Sequence, residues 1–367
     1  MKHDFRTITE ELYELHQTLL DQWPHLVRIA VALYDDQTGM LHTFVRSDQS
    51  QLFLNHYSAP LNEIPSLSEV AANGKPRIIK DLSVLNEART EHSQVISQNF
   101  QSSFTEPFYF NEALLGFIFY DATQVNYFDE HLTNQLTAYT RLMEALVTSD
   151  VLPVKTLTAL VETTKEVTRL KDAETNKHLI RMASYMEIIV IELAEKFGFS
   201  DEQIEYMWFY APLHDVGKLA IKDEILMKPG KLTVDQYKTM QTHVNEGLMF
   251  LETIEKNFKF QPLHHINILR DLIGAHHERW DGSGYPLSLK GEAIPIVGRI
   301  AAVADVFDAV SSDRVYRQAW PIEKALNYLI QNKGILFDPI CVDAFIKNKD
   351  KVLAVSKKYQ ETSEINP

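Results

Sequence analysis

Cysteine is nearly absent from this sequence: Cys341 is the single one among 367 residues. One thiol excludes an intramolecular disulfide framework and agrees with a reducing compartment. Cys341 reads as a packing residue near the C-terminus. Long apolar runs are lacking too, and none approaches the length that spans a bilayer. The opening stretch MKHDFRTITEELYELH holds no apolar signal core. The expectation is a cytoplasmic protein with no membrane contact. Basic charge is also short. The 36 Lys and Arg against 50 Asp and Glu leave a formal net charge of −14. That balance excludes wrapping of long nucleic acid, which needs a basic surface. It does not exclude a small phosphate-containing ligand, because metal ions and a few local cations reverse the field nearby.

What is present is ordinary globular material, 45% hydrophobic and 23% charged. The length fits two domains, each with enough residues for a core. Residues 5–22 carry Leu12, Leu15 and Leu19 on one helical face. An apolar run at 26–34, turn residues Asp35, Asp36 and Gly39, and a second run at 41–45 predict a hairpin. A break at Gly74-Lys75-Pro76 precedes a short strand at 77–79. Two further strands, 104–110 and 114–120, join through Asn111-Glu112. Helical periodicity returns over 128–146. The economical architecture for residues 1–150 is an antiparallel sheet flanked by helices.

The tract EPFYFNEALLGFIFYDATQVNYFDEHLTNQL, two strands leading into a helix, resembles a GAF-type sensory domain. The likeness covers roughly residues 20–148 and holds no ligand-specific motif. It implies a sensory or regulatory role with a small ligand of unknown identity.

Asp150 to Pro153 reads as a junction, since proline tends to end a helix. From residue 151 to 367 the pattern is almost wholly helical. Helices are expected near 156–171, 174–196, 201–213, 233–254, 263–277, 296–311 and 321–332, with a polar tail after Lys347 prone to fraying.

This second half gathers His and carboxylates. Glu174 and His178 share a helical face. His214-Asp215 is followed by Gly217-Lys218. His243 lies on the next amphipathic stretch. His276-His277 precede Glu278 and the loop WDGSGYP, and Asp305 sits in the apolar run VGRIAAVADVFDAV. Any one of these has a bland reading: Asp305 as an arginine partner or helix cap, a lone His as a core residue, the glycine loop as an ordinary turn. Taken as a set, imidazoles and carboxylates without thiolates suit Zn, Mn or Fe and argue against a structural zinc cage. Eight donors exceed one ion's needs. A carboxylate shared by two ions is the pattern that clamps a phosphoryl displacement, so phosphodiester hydrolysis is the reaction class these residues suggest.

Three tracts, LHDVGKLAIKDEILMKPGKLT, HHERWDGSGYPLSLKGEAIP and RIAAVADVFDAVSSDRVYRQAW, closely resemble the HD-GYP family of cyclic-dinucleotide phosphodiesterases. The match spans roughly 155–345. It implies an all-helical HD-type fold. The metal ligands would be Glu174, His178, His214, Asp215, His243, His276, His277 and Asp305, with Asp215 bridging. Two or three divalent ions are implied, iron or manganese, the position of Glu174 going with three. Lys218 would meet the scissile phosphate and stabilise its developing charge, making Asp215 and Lys218 the catalytic pair. Tyr285, Asp308, Arg314 and Arg317 match substrate-contacting positions. For the two arginines the rival is a salt bridge with Asp308 or Asp313, and for Lys218 a solvated surface site. The implied substrate is cyclic di-GMP or the mixed cyclic GMP-AMP, opened to a linear dinucleotide and in some members on to mononucleotides. The implied assembly is a homodimer, the commonest symmetry.

Ala211-Pro212-Leu213, Asn176 and Leu219-Ala220-Ile221-Lys222 depart from the family's usual residues. None removes a ligand, and Pro212 should kink its helix. Two other functions stay open at this point: a cyclic-dinucleotide receptor with little turnover, and a different HD-type nucleotide hydrolase.

Overall fold

The computed structural model describes residues 6–48, 56–85, 96–167, 176–257, 265–313 and 318–359. The chain divides into two compact units, Met1–Leu152 and Pro153–Pro367. Glu174, Arg314 and Arg317 lie outside the described residues. Among the described residues no helix is long and apolar enough to cross a membrane.

The first unit is built on a six-stranded antiparallel sheet in the order β3-β2-β1-β6-β5-β4. The strands are β1 (Leu26–Asp35), β2 (Met40–Arg46), β3 (Ser58–Pro60), β4 (Arg77–Ile79), β5 (Ser102–Phe110) and β6 (Ala113–Ala122). The β5–β6 hairpin closes on Asn111 and Glu112, both at positive φ (47° and 69°), as the twist of a two-residue connection requires. Ile29, Val31, Phe44, Phe104, Phe117 and Tyr120 are each no more than 2% exposed, and Phe117 and Tyr120, three residues apart on β6, are buried on opposite faces of the sheet. The helix Ile8–Gln22 packs on β1 and β2. Leu67 and Val70 of the helix Pro65–Asn73 pack on Leu41 and Phe117. Strand β3 and this helix are too short to register in the residue pattern. The expected sheet with flanking helices is what folds.

The helix Glu130–Val167 lies against the sheet over its first turns, where Tyr120 and Thr140 share a 2.8 Å hydroxyl hydrogen bond. Pro153 does not end this helix, contrary to the expectation, but lies inside it. Proline removes one backbone donor, and the buried Val151, Val154, Leu157 and Val161 keep the helical face anchored on both sides.

The second unit is helical and centres on Asn176–Phe197, which touches the helices Asp201–Tyr210, Ile296–Ser311, Pro339–Lys347 and Lys349–Lys358. Its Tyr185 sits edge-on to Phe307 and Phe345 at 5.1 and 5.7 Å between ring centroids. Asp201–Tyr210 begins on a Ser200–Gln203 capping box and stops before Pro212, where the chain tightens into a 3₁₀ turn, Ala211–Leu213. The kink expected at Pro212 is therefore there.

Two expectations about helix extent are corrected. Residues 233–254 form two helices, Val234–Gln241 and His243–Asn257, because the chain tightens at Thr242, whose hydroxyl donates back to Thr239 O at 2.8 Å. The polar tail after Lys347 does not fray within the described residues. It continues as Lys349–Lys358, held by the fully buried Val352. A second short 3₁₀ stretch, Val216–Ala220, packs on His243–Asn257. A Cβ on Gly217 would come within 1.9 Å of His243 O and 2.4 Å of Gly247 N, so this crossing needs a residue without a side chain.

Two outcomes are expected. Val352→Ala removes two buried methyl groups and should cost about 2 kcal/mol, read as a lowered thermal midpoint. A frayed tail would leave that midpoint unchanged. Gly217→Ala must push two backbones apart and should cost roughly 1–3 kcal/mol while impairing metal retention. Wild-type stability and metal content in that variant would show that the close crossing is dispensable.

Candidate metal centre

Asp215 lies between the two 3₁₀ stretches, and its carboxylate is the hub of the second unit's polar interior. Its Oδ1 is 3.1 Å from His243 Nε2 and 3.5 Å from His276 Nε2. Its Oδ2 is 3.1 Å from His214 Nε2 and 2.7 Å from Lys218 Nζ. Burial alone would raise the carboxyl's pKa, but Lys218 and then His214 beside it hold it well below the usual range.

Each surrounding imidazole is oriented by what its other nitrogen does. His214 Nδ1 donates to Ala211 O at 2.9 Å, and His243 Nδ1 to Met240 O at 2.7 Å. His276 Nδ1 reaches Leu272 O and Ile273 O at 3.1 and 3.0 Å. His178 Nδ1 reaches Asp308 Oδ2 at 2.7 Å. Occupying Nδ1 fixes the neutral tautomer and leaves the Nε2 lone pair facing inward. The main-chain acceptors of His214, His243 and His276 sit in the last turns of helices or in the tight turn at Pro212.

The donors fall into two groups whose ligand atoms lie within 4.8 Å of one another. One group is Asp215, His243, His276 and His277, and the other is His178, His214 and Asp305. The neighbours His214 and Asp215 stitch the two together. In the first group Asp215 Oδ1, His243 Nε2 and His276 Nε2 are buried without a hydrogen-bond partner. Buried polar atoms almost always have one. Three converging lone-pair bearers with none are what a divalent cation satisfies, so the donor set fits a metal. Nitrogen and carboxylate donors without sulfur suit Fe, Mn or Zn.

His277 is kept neutral by burial, with neighbouring His276 adding to the effect, so its ring value lies well below ordinary imidazole. Tyr285 stacks on it at 4.7 Å and 29° between planes. Burial, with Tyr237 and Asp215 nearby, keeps the Tyr285 phenol protonated.

Of the sequence-derived candidates, His178, His214, Asp215, Lys218, His243, His276, His277, Tyr285 and Asp305 are brought together here. Asp308, expected at the substrate, is 1% exposed, and its oxygens accept from His178 and from Arg181, through Nε at 2.5 Å and Nη2 at 2.9 Å. Its carboxyl is held below the usual value because these contacts outweigh burial.

Two residues escaped the sequence reading. Arg181 is one helical turn after His178, which was the available signal. Glu278, directly after the His pair, is 2% exposed. It accepts from Leu287 N at 2.7 Å and Leu289 N at 3.0 Å, which staples the WDGSGYP loop. Gly284 lets that loop fold back, since a Cβ there would meet Arg279 N at 2.3 Å.

Comparison with known proteins places this geometry. Residues 172–340 match the HD domain family. A cyclic di-GMP phosphodiesterase response regulator of Xanthomonas campestris pv. campestris is 41% identical over 193 residues, covering 53% of this chain and 48% of its own length. A 3′3′-cGAMP-specific phosphodiesterase of Vibrio cholerae is 37% identical over 203 residues, covering 53% of this chain and 37% of its own length. The chain spans about half or less of the length of these curated relatives. Among solved structures, the GAF domain/HD domain protein from Geobacter sulfurreducens aligns with a TM-score of 0.32 at 15% identity, over 39% of this chain and 94% of that one. Residues 172–340 thus match an HD domain, and the curated relatives they resemble include cyclic di-GMP and 3′3′-cGAMP phosphodiesterases.

Proposed function

We propose that the chain is a metal-dependent phosphodiesterase that opens a cyclic dinucleotide, cyclic di-GMP or 3′3′-cyclic GMP-AMP, in the cytoplasm. The observation that carries this reading is the Asp215 carboxylate facing two donor groups at once, with Lys218 on the same oxygen as His214.

His178, His214 and Asp305 would hold one ion, and His243, His276 and His277 another, with Asp215 shared. A third ion would use Glu174. Iron or manganese is the expected metal. Such ions supply Lewis-acid polarisation of a phosphate and a nucleophilic water at neutral pH. The protein's own residues do the rest. Lys218 Nζ presents a positive charge where a non-bridging phosphate oxygen approaches, and stabilises the charge that grows there. Tyr285, held flat on His277, offers a ring face and a protonated hydroxyl at the rim. Arg314 and Arg317 follow the helix that carries Asp305 and would clamp phosphate or a guanine edge. Hydrolysis adds water across one P–O3′ bond, leaving a 5′-phosphate and a free 3′-hydroxyl on a linear dinucleotide, which a second cycle would take to mononucleotides.

The first unit would be a GAF-like regulatory part. A pocket walled by Arg28, His42, Thr43, Tyr57, Ile64 and Phe119 would receive its small ligand. Assembly as a homodimer completes the reading.

The test is turnover of both nucleotides side by side by chromatography, on anaerobically purified protein supplied with Fe(II) or Mn(II). The expected outcome is cleavage of at least one, with a loss of at least about a thousandfold in Asp215→Ala, as for removal of a group central to transition-state charge. Bound metal with no cleavage of either would overturn the enzyme reading in favour of a receptor. Cleavage of nucleoside mono- or triphosphates alone would favour another HD-type hydrolase.

A further inference from the structure

Asp308 and Arg181 form a buried unit in contact with His178 of the His178–His214–Asp305 group. Asp308 Oδ2 accepts from His178 Nδ1 at 2.7 Å and from Arg181 Nη2 at 2.9 Å. Its Oδ1 accepts from Arg181 Nε at 2.5 Å and from the Ser312 hydroxyl at 3.4 Å. Arg181 also donates through Nη1 to Tyr359 O at 3.0 Å, just past the end of the helix Lys349–Lys358. The side chains of His178, Arg181 and Asp308 are no more than 4% exposed.

The spacing is the same on both helices. His178 and Arg181 are three residues apart on Asn176–Phe197, and Asp305 and Asp308 are three apart on Ile296–Ser311. Residues at that spacing share a face. Each helix therefore presents one donor and, one turn on, one member of the ion pair. We infer that Asp308 and Arg181 are a positioning pair for His178, and that they set the metal affinity of the His178–His214–Asp305 group selectively.

The physical argument has two steps. A ligand imidazole needs an acceptor on its far nitrogen to fix tautomer and ring orientation, and a carboxylate there also raises its basicity. A buried carboxylate serves only if its charge is offset, and the forked guanidinium does so while fixing the carboxylate plane. His243 and His276 are braced by main-chain carbonyls instead, so the second group does not depend on this pair. Tyr359 O makes the last described helix part of the brace.

This inference rests on reading the two donor groups as metal sites, and the experiment separates the two. The metal-stripped full chain is titrated with Mn(II) by calorimetry. The wild type should show more than one class of site, and His243→Ala identifies the class belonging to the Asp215–His243–His276–His277 group. The double variant Arg181→Met with Asp308→Leu removes both charges together, so no unpaired ion stays buried. Its His178-side class should weaken about 10–100-fold, the usual cost of losing an outer-shell partner, while the other class stays unchanged. Unchanged affinity of both classes, or equal weakening of both with an intact helical circular-dichroism signal, overturns the inference. If the double variant loses that signal, Asp308→Asn, of equal volume, decides by the same comparison. A wild-type chain that binds no Mn(II) overturns the metal reading itself.

Discussion

The second unit depends on the burial of one carboxylate. Asp215 is 3% exposed, and an ionised group taken out of water is costly unless it is paired. Lys218 at 2.7 Å provides part of the compensation. His214 adds to that compensation where its ring carries charge, whereas a neutral ring, its Nδ1 donor spent on a main-chain carbonyl, turns a lone pair toward the carboxylate. Lone pairs facing a carboxylate at 3.1 to 3.5 Å repel it. The rest of the fold must hold these groups together against that repulsion. A cation between these groups would relieve it, which is the arrangement the donor set fits.

How the fold exerts that hold explains its irregularities. The chain places His214 after a proline turn, His243 at the tightening around Thr242, and His276 at the close of a helix. Each interruption exposes a carbonyl that orients one ring. The interruptions would cost stability if they stood alone. They are offset by the aromatic cluster of Tyr185, Phe307 and Phe345 and by the apolar spine of Asn176–Phe197. The close crossing at Gly217 then brings the Asp215 turn against the His243 helix.

Most of the donor set was legible in the sequence because the chemistry depends on residue type: a His-Asp pair, a His-His pair and an acid in an apolar helix are uncommon enough to stand out. The sheet was legible because apolar runs bounded by turn residues are a local signal. What stayed hidden depended on tertiary neighbours. Asp305 and Asp308 look alike in sequence, one turn apart on the same helix. Only the position of Arg181, some 127 residues away in the chain, separates a donor from its brace. Glu278 looks like a third ligand after two histidines, yet it serves the backbone of the next loop. Pro153 reads as a stop signal because propensity is local, while the buried valines on either side decide the outcome.

The acidity of the chain bears on which phosphates reach such a site. A net charge of −14 repels a polyanion at long range. In physiological salt the repulsion between exposed charges fades beyond about 8 Å. A long nucleic acid must lay many phosphates across that surface and meets the repulsion along its whole length. A cyclic dinucleotide carries only two phosphates, and at the site proposed for it the positive charge beside Asp215 is that of Lys218, to which any bound cation would add. Its binding is governed by the local field, of opposite sign to the global one. On the proposed reading, a preference for a small dianionic ligand over a polymer would follow from where the positive charge sits, since Lys218 is held beside Asp215 while the net charge of the whole chain is negative.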